Sequence, residues 1–506
     1  MANNDLLRLH PADNVAIARR ALGAGTLLEL ESGEAVAVIN DVPAGHKVAI
    51  AAVGAGEPVW RYGQVIGLAT RDIAPGEHVH VHNLGTDEFE RAAATAAAPA
   101  FPLAGDEART FAGYRRADGR TGTRNYVSVV STVNCSAHVA RQIAAHFTPE
   151  RLAPFPNVDG VAAFTHGFGC TFPAGSRDEQ MLARALAGMA CHPNSGGYLL
   201  VGHGCEKMAV DELAGYLTGC DRPGSSLVVQ DAGGTGPAVE AGIAQVEGLL
   251  VEANRARRTP QPLSELVVAL QCGGSDAWSG VTANPALGLV VDEVVRSGGS
   301  GLLAETPEIV GAEHLLLARA AGPAVARALE DKVAWWRHWA RRTGFEIDQN
   351  RSPGNEAGGL TTIYEKSLGA VSKGGSTPLV AVYDFAQRVE AKGLSFMDTP
   401  GYDPVSVTGQ VAGGCNLVIF TTGRGSVWGS KPAPVIKVCT NSETYRHVRG
   451  DMDMDAGRVL AGATLEEVAG ELLDLVVAVA SGEPTKSETH GVGETEFVVW
   501  NLGATL

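Results

Sequence analysis

Residues Glu265–Pro285 read ELVVALQCGGSDAWSGVTANP, and this stretch decides the fold. An apolar run, Leu266-Val267-Val268-Ala269-Leu270, ends at Gln271-Cys272 and is followed by Gly273-Gly274. A short apolar run bounded by glycines reads as a buried strand of a parallel sheet. The residues after it then lie beyond the strand's carboxyl end, where open α/β sheets bind ligands. Cys272, Ser275 and Asp276 are therefore placed for chemistry.

Three other stretches share this plan. Tyr126-Val127-Ser128-Val129-Val130 leads to Cys135 and a helical pattern, Val158–Phe164 leads through His166-Gly167-Phe168-Gly169 to Cys170, and Tyr198-Leu199-Leu200-Val201 leads through Gly202-His203-Gly204 to Cys205. If the four strands are parallel neighbours, the thiols converge on one crevice. The competing reading is that each free cysteine is a small buried hydrophobe. No pair has CxxC spacing, so spacing alone does not show metal ligation.

The wider pattern is α/β. Residues 1–83 hold short strand-like runs such as Ala35–Ile39 and Lys47–Ala51, broken by Pro-Gly and Gly-Ala-Gly turns. His78, His80 and His82 alternate and so share one face of a strand, suited to a metal or to solvent. Residues 84–110 are rich in alanine, proline and acidic side chains and read as a linker. Residues 111–345 alternate strand and helix patterns, the signature of βαβ units, and residues 346–506 form a further glycine-dense α/β segment. The expected architecture is a small β-rich domain followed by two α/β domains with mostly parallel sheets.

The totals set limits. A net charge of −16 argues against non-specific nucleic-acid binding. No apolar stretch is long enough for a membrane span, and the amino terminus lacks a signal pattern, so the expected location is cytoplasmic with eight reduced cysteines. A symmetric homodimer is the commonest assembly and the one expected.

These motifs resemble the altronate and galactarate dehydratase family. The matching stretches are DNVAIA, AGHKVAI and RYGQVIG; then GYRRADGRTGTRN, THGFGC, VGHGCEK and QCGGSDAWSGVTANP; then SPGNEAGGLTTIYEKSLGA, FTTGRGSVWG and DMDMDAG. The resemblance covers nearly the whole chain and implies a SAF-type first domain and a sugar-acid substrate dehydrated to a 2-keto-3-deoxy acid. One departure stands at Glu356, where many members read SPGNK; a lost cation and an exposed side chain are the two readings. Sulfite elimination from sulfolactate and sugar-acid binding without chemistry are the alternatives. The fusion of small and large parts on one chain favours the dehydratase.

Such a dehydration removes a weakly acidic proton α to a carboxylate, so the site must stabilise a dianion with a metal or clustered cations. The family implies iron(II) or another divalent metal. One ligand set is thiolate, from Cys135, Cys170, Cys205 and Cys272, extending to an iron–sulfur cluster. The other combines His46 and His10 with Asp13 or Asp276. His46 or Lys47 is the expected base, with His166 in reserve; the competing reading of His46 is structural. Arg61, Arg124 and Arg424 are candidates for gripping carboxylates. Tyr62, Asn125, Ser275, Asp276 and Asn284 complete the expected substrate site.

Overall fold

The computed structural model describes residues 5–30, 33–86 and 109–503. The amino-terminal domain is built from small antiparallel sheets. Leu6–Leu7, Val15–Ala18, Lys47–Ala49 and His78–Val79 form one; Pro58–Arg61, Gln64–Ala69 and Leu84–Gly85 form another. Val15, Val53, Val59, Ile66 and Val79 close its core, which is continuous with that of the large domain. Most of the alanine- and proline-rich stretch expected to be a linker, residues 87–108, lies outside the described residues.

The rest is α/β around two parallel sheets. The first contains β1 (Tyr126–Ser131), β2 (Gly160–Phe164), β3 (Ser195–Gly202) and β4 (Gly224–Val228), in spatial order β2-β1-β3-β4. The second contains β5 (Val267–Cys272), β6 (Ser300–Leu303), β7 (Leu379–Tyr383), β8 (Gly393–Met397), β9 (Leu417–Thr422), β10 (Val435–Cys439) and β11 (Met454–Asp455). Their order is β7-β8-β6-β5-β9-β10-β11, and every neighbouring pair is parallel. Val268, Ala269, Leu270 and Cys272 of β5 are all buried, as a strand covered on both faces requires.

Each sheet has a place where the connections leaving two neighbouring strands run in opposite directions. It lies between β1 and β3 in the first sheet and between β5 and β9 in the second. At such a point the loops leaving the two central strands diverge and open a crevice.

Three expectations change here. The four cysteine-bearing strands do not belong to one sheet: β5, with Cys272, is central to the second, so its thiol is separated from the other three. The boundary expected near residue 345 falls between strands of one sheet, because β5 and β6 hydrogen-bond with strands from beyond residue 390. The cysteines also differ from expectation, since Cys191 and Cys220 are joined, with Cα atoms 5.6 Å apart as disulfide geometry allows. Among the described residues, no helix is long and apolar enough to cross a membrane.

Candidate active site at the strand ends

Cys272 ends β5 at the switch point of the second sheet, and a buried cluster of charge surrounds it. The Lys373 ammonium donates to the Cys272 Sγ at 2.9 Å and lies 3.7 Å from Glu305. Lys366, on α1 (Ile363–Val371), donates to Glu308 at 2.8 Å and to the Asn350 side chain at 2.7 Å. Gln271 donates to Asp403 at 2.7 Å. Glu305 follows β6, and Asp403 opens α2 (Asp403–Ala412) after β8, so three adjacent strand ends supply the cluster.

Local chemistry explains these placements. Glu305 takes the left-handed conformation, φ 68°, rare outside glycine, with its N–H held by the Thr399 hydroxyl at 2.9 Å. Gly273 has no room for a side chain, since a Cβ would strike the Asp403 carboxylate. The Asp276 carboxylate lies against Gly423 in the same way. These contacts draw the loops after β5, β8 and β9 together.

Electrostatics separates the acids. Burial, then the charge of Glu308, pushes Glu305 well above the usual carboxylate range. Burial pushes Asp403 up to about 6 and the Cys272 thiol up to about 11. Burial works against the Lys373 ammonium, but Cys272, Glu305 and Glu308 outweigh it and hold that amine protonated.

Cys272, Glu305 and Glu308 also bring one donor atom each within 4.8 Å of one another. A thiolate with two carboxylates is compatible with a divalent metal. One oxygen of each carboxylate has no hydrogen-bond partner among the described residues, which fits a cation. Lys373 already supplies positive charge there, so a metal would compete with its ammonium.

The first domain meets this region through a second buried cluster. Glu365, on α1, accepts from Lys47 Nζ at 2.9 and 3.0 Å and from Arg61, and from the Thr361 N–H and hydroxyl at 2.8 and 2.6 Å. Lys47 also donates to the Gly359 carbonyl at 2.7 Å, and Arg61 to that of Ala277 at 2.6 Å. Both cations are spent on holding the first domain against the loops after β5. Tyr62 stacks under the Arg61 guanidinium at 4.5 Å.

His46, His78, His80 and His82 form a stack with ring centroids 4.9–5.5 Å apart. His46 Nδ1 lies 3.0 Å from His78 Nε2, and its Nε2 lies 3.3 Å from the Ala357 carbonyl. Burial lowers His46 to about 4, leaving it neutral. His10 is exposed on its own loop, and the Asp13 carboxylate caps the backbone of His10, Tyr62 and Gly63, so the structure does not bring a His10–Asp13–His46 ligand set together.

Other anticipated residues divide by position. Asp276 is buried and accepts from Trp278, Ser279, Thr440 and Asn441, and Asn284 bonds Thr421 and Gly369, so both fix the crevice wall. Ser275 is buried with a hydroxyl that has no hydrogen-bond partner among the described residues. Arg424 is exposed on the loop after β9, beside Gly274. Arg124 and Asn125 precede β1, at the opposite end of the first sheet from the crevice. Arg124 pairs with Glu488, and Asn125 bonds the carbonyls of Asn157 and Ala253. His166 is saturated: Nε2 donates to Ser131 O at 3.0 Å and Nδ1 accepts from Phe168 N–H at 3.1 Å. Glu356 is half-exposed and pairs with Arg351 at 2.8 Å. Cys135, Cys170 and Cys205 are exposed, and beyond the effect of burial Cys135 and Cys205 each push the Cys170 thiol up, so both lie near it.

Glu305, Glu308, Lys366, Lys373, Asp403 and Glu365 escaped sequence reasoning. The signal for Glu305 was a carboxylate ending the apolar run Gly301-Leu302-Leu303-Ala304.

Comparison with known proteins covers the chain almost end to end. The altronate/galactarate dehydratase SAF domain matches residues 4–87, the D-galactarate dehydratase/altronate hydrolase second domain matches 113–254, and the D-galactarate/altronate dehydratase C-terminal domain matches 263–505. Altronate dehydratase of Escherichia coli K12 is 35% identical over 99% of both chains. Galactarate dehydratase (L-threo-forming) of the same organism is 36% identical over 98% of this chain and 96% of its own. The (2R)-sulfolactate sulfo-lyase subunit beta of Chromohalobacter salexigens is 32% identical over 78% of this chain and 98% of its own.

Proposed function

Because the chain belongs to the altronate/galactarate dehydratase family, we propose that it is a hydro-lyase converting an aldonate or aldarate to a 2-keto-3-deoxy acid. The observation that carries this reading is the buried cluster of Lys373, Lys366, Glu305 and Asp403 at the switch point of the second sheet. Two carboxyls driven to different titration ranges are suited to opposite roles. Asp403, at about 6, is ionised at neutral pH and takes the α-proton. Glu305, held protonated, gives its proton to the departing hydroxyl. The Lys373 ammonium faces the negative charge that builds on the substrate carboxylate. Arg424 grips the far end of the substrate through its bidentate fork.

Cys272, Glu305 and Glu308 are the residues that would hold an iron(II) or related ion, which would take the place of the Glu305 proton and so stand as an alternative to the acid role of Glu305. Such an ion supplies Lewis-acid stabilisation of the same developing charge. The cluster is closed to solvent, so substrate enters as the Arg424 loop or the first domain shifts. We take the chain as three units: the SAF domain, the four-stranded-sheet unit and the seven-stranded-sheet unit.

A semicarbazide assay for 2-keto acids, run over a panel of aldonates and aldarates with added ferrous iron, tests the proposal. No 2-keto acid from any of them would overturn it. Sulfite release from sulfolactate is the outcome that would instead support the sulfo-lyase reading.

A further inference from the structure

We propose that Cys135, Cys170 and Cys205 together form a site for a four-iron, four-sulfur cluster, bound through three thiolates with one corner left without a protein thiolate. This goes beyond the proposed function and does not rest on it.

The three thiols stand at the other switch point. Each follows the carboxyl end of one of the adjacent strands β2, β1 and β3. Val130 pairs with Phe164 and Ser131 with Val201, so the strand ends are level. Neighbouring strands lie about 4.8 Å apart, which sets the scale of separation among the loops they feed.

Those loops are tied to one another. Asn134 donates its backbone N–H to Phe168 at 2.9 Å and its side-chain amide to His166 at 3.2 Å. Lys207 N–H donates to Gly169 at 3.0 Å, and the Thr132 hydroxyl donates to Glu206 at 2.8 Å. Gly169 has φ 119°, and a Cβ there would lie 2.8 Å from Thr132 O and from the Val133 Cα. Only glycine lets the Cys170 loop approach the Cys135 loop this closely. The saturated His166 pins the same loop to the end of β1.

The chemistry of the donors narrows the ligand. Free cysteine is usually buried, as Cys272, Cys415 and Cys439 are, yet these three are free and exposed together. Among the described residues, only Cys272, Glu305 and Glu308 bring three potential donor atoms within 4.8 Å of one another, so these thiols are spread wider. Two thiolates on one zinc ion cannot stand more than about 4.6 Å apart, twice the Zn–S bond. A group of several irons bridged by sulfide spans the wider set, and thiolate is its usual ligand. His203 Nδ1, on the Cys205 loop, has no hydrogen-bond partner among the described residues.

The test is anaerobic reconstitution of the full-length protein with ferrous iron and sulfide. The expected result is about four irons and four acid-labile sulfides per chain, a broad visible absorption, and an electron paramagnetic resonance signal after reduction. Cys135→Ser, Cys170→Ser and Cys205→Ser should each lower the cluster content at least fivefold, with circular dichroism confirming the fold. Cys272→Ser should leave it unchanged. Zinc alone, iron without sulfide, no bound cluster, or loss in Cys272→Ser but not in the other three would overturn the inference. Metal content is read directly, so failure here is separate from failure of the dehydratase assay.

Discussion

Replacing Glu365 by glutamine should loosen the first domain far more than an ordinary surface change. The carboxylate takes bonds from Lys47, Arg61 and two groups of Thr361. It is held down to about 2, against the burial that works to raise it, chiefly by the charges of Lys47 and Arg61. Lys47 shows the opposite preference: burial lowers it to about 8 despite Glu365. The two directions disagree over whether the cluster favours ionisation. The carboxylate is the better guide, because it collects four donor groups while Lys47 also feels the like charge of Arg61. Lowering the carboxyl from 4.5 to about 2 corresponds to about 3 kcal/mol. Removing one partner of a buried ion pair costs about 3–5 kcal/mol, because the other is left uncompensated. Hydrogen exchange of the strands Lys47–Ala49 and Pro58–Arg61, with urea unfolding alongside, measures the effect. Protection of those strands should fall by about 3–5 kcal/mol in the glutamine variant. The triple variant Lys47→Met, Arg61→Met, Glu365→Leu should recover most of it, since an apolar replacement of a whole buried ionic set is near neutral. Unchanged protection in Glu365→Gln, within about 1 kcal/mol, would refute the reasoning.

Other outcomes follow from the same geometry. Because the folded carboxyl of Glu365 titrates below its unfolded value, its stabilisation is complete above about pH 4.5 and is lost as pH falls toward about 2. Arg424→Lys should cut kcat/KM by about 10–100-fold by losing bidentate contact, with an unchanged urea midpoint because the side chain is exposed. Asp403→Asn should lower kcat by at least about 100-fold as the loss of a general base does, and near-normal turnover would remove Asp403 from that role. Cys272→Ser should weaken binding of a divalent ion measured by equilibrium dialysis, and full activity after exhaustive chelation would dismiss the ion.

Much of the scaffold could be read from local pattern. Short apolar runs marked β1, β3 and β5 and placed their loops at the carboxyl ends, because burial on both faces leaves that imprint in a single stretch. Sheet membership leaves no such imprint. Cys272 looked like a fourth member of the cysteine group because each loop was read alone, whereas strand order is set by helix packing and crossovers between distant segments. The same limit misplaced Arg124: it precedes its strand by two residues, and motif reading did not separate the two ends of a strand. Glu305 and Glu308 were hidden because a carboxylate in a loop ordinarily reads as solvated. Only the three-dimensional approach of Lys366 and Lys373 shows why these carboxylates are buried.

The Glu365 contact has one more consequence. Both of its sides belong to one polypeptide, so docking of the first domain is a unimolecular event. Two separate chains meeting through the same groups would part on dilution, and their degree of association would follow their abundance. Here dilution cannot separate the partners, and even a contact of modest intrinsic strength is amplified by local concentration. The fraction docked is fixed by the contact itself, and is the same in a cell making few copies of the chain as in one making many.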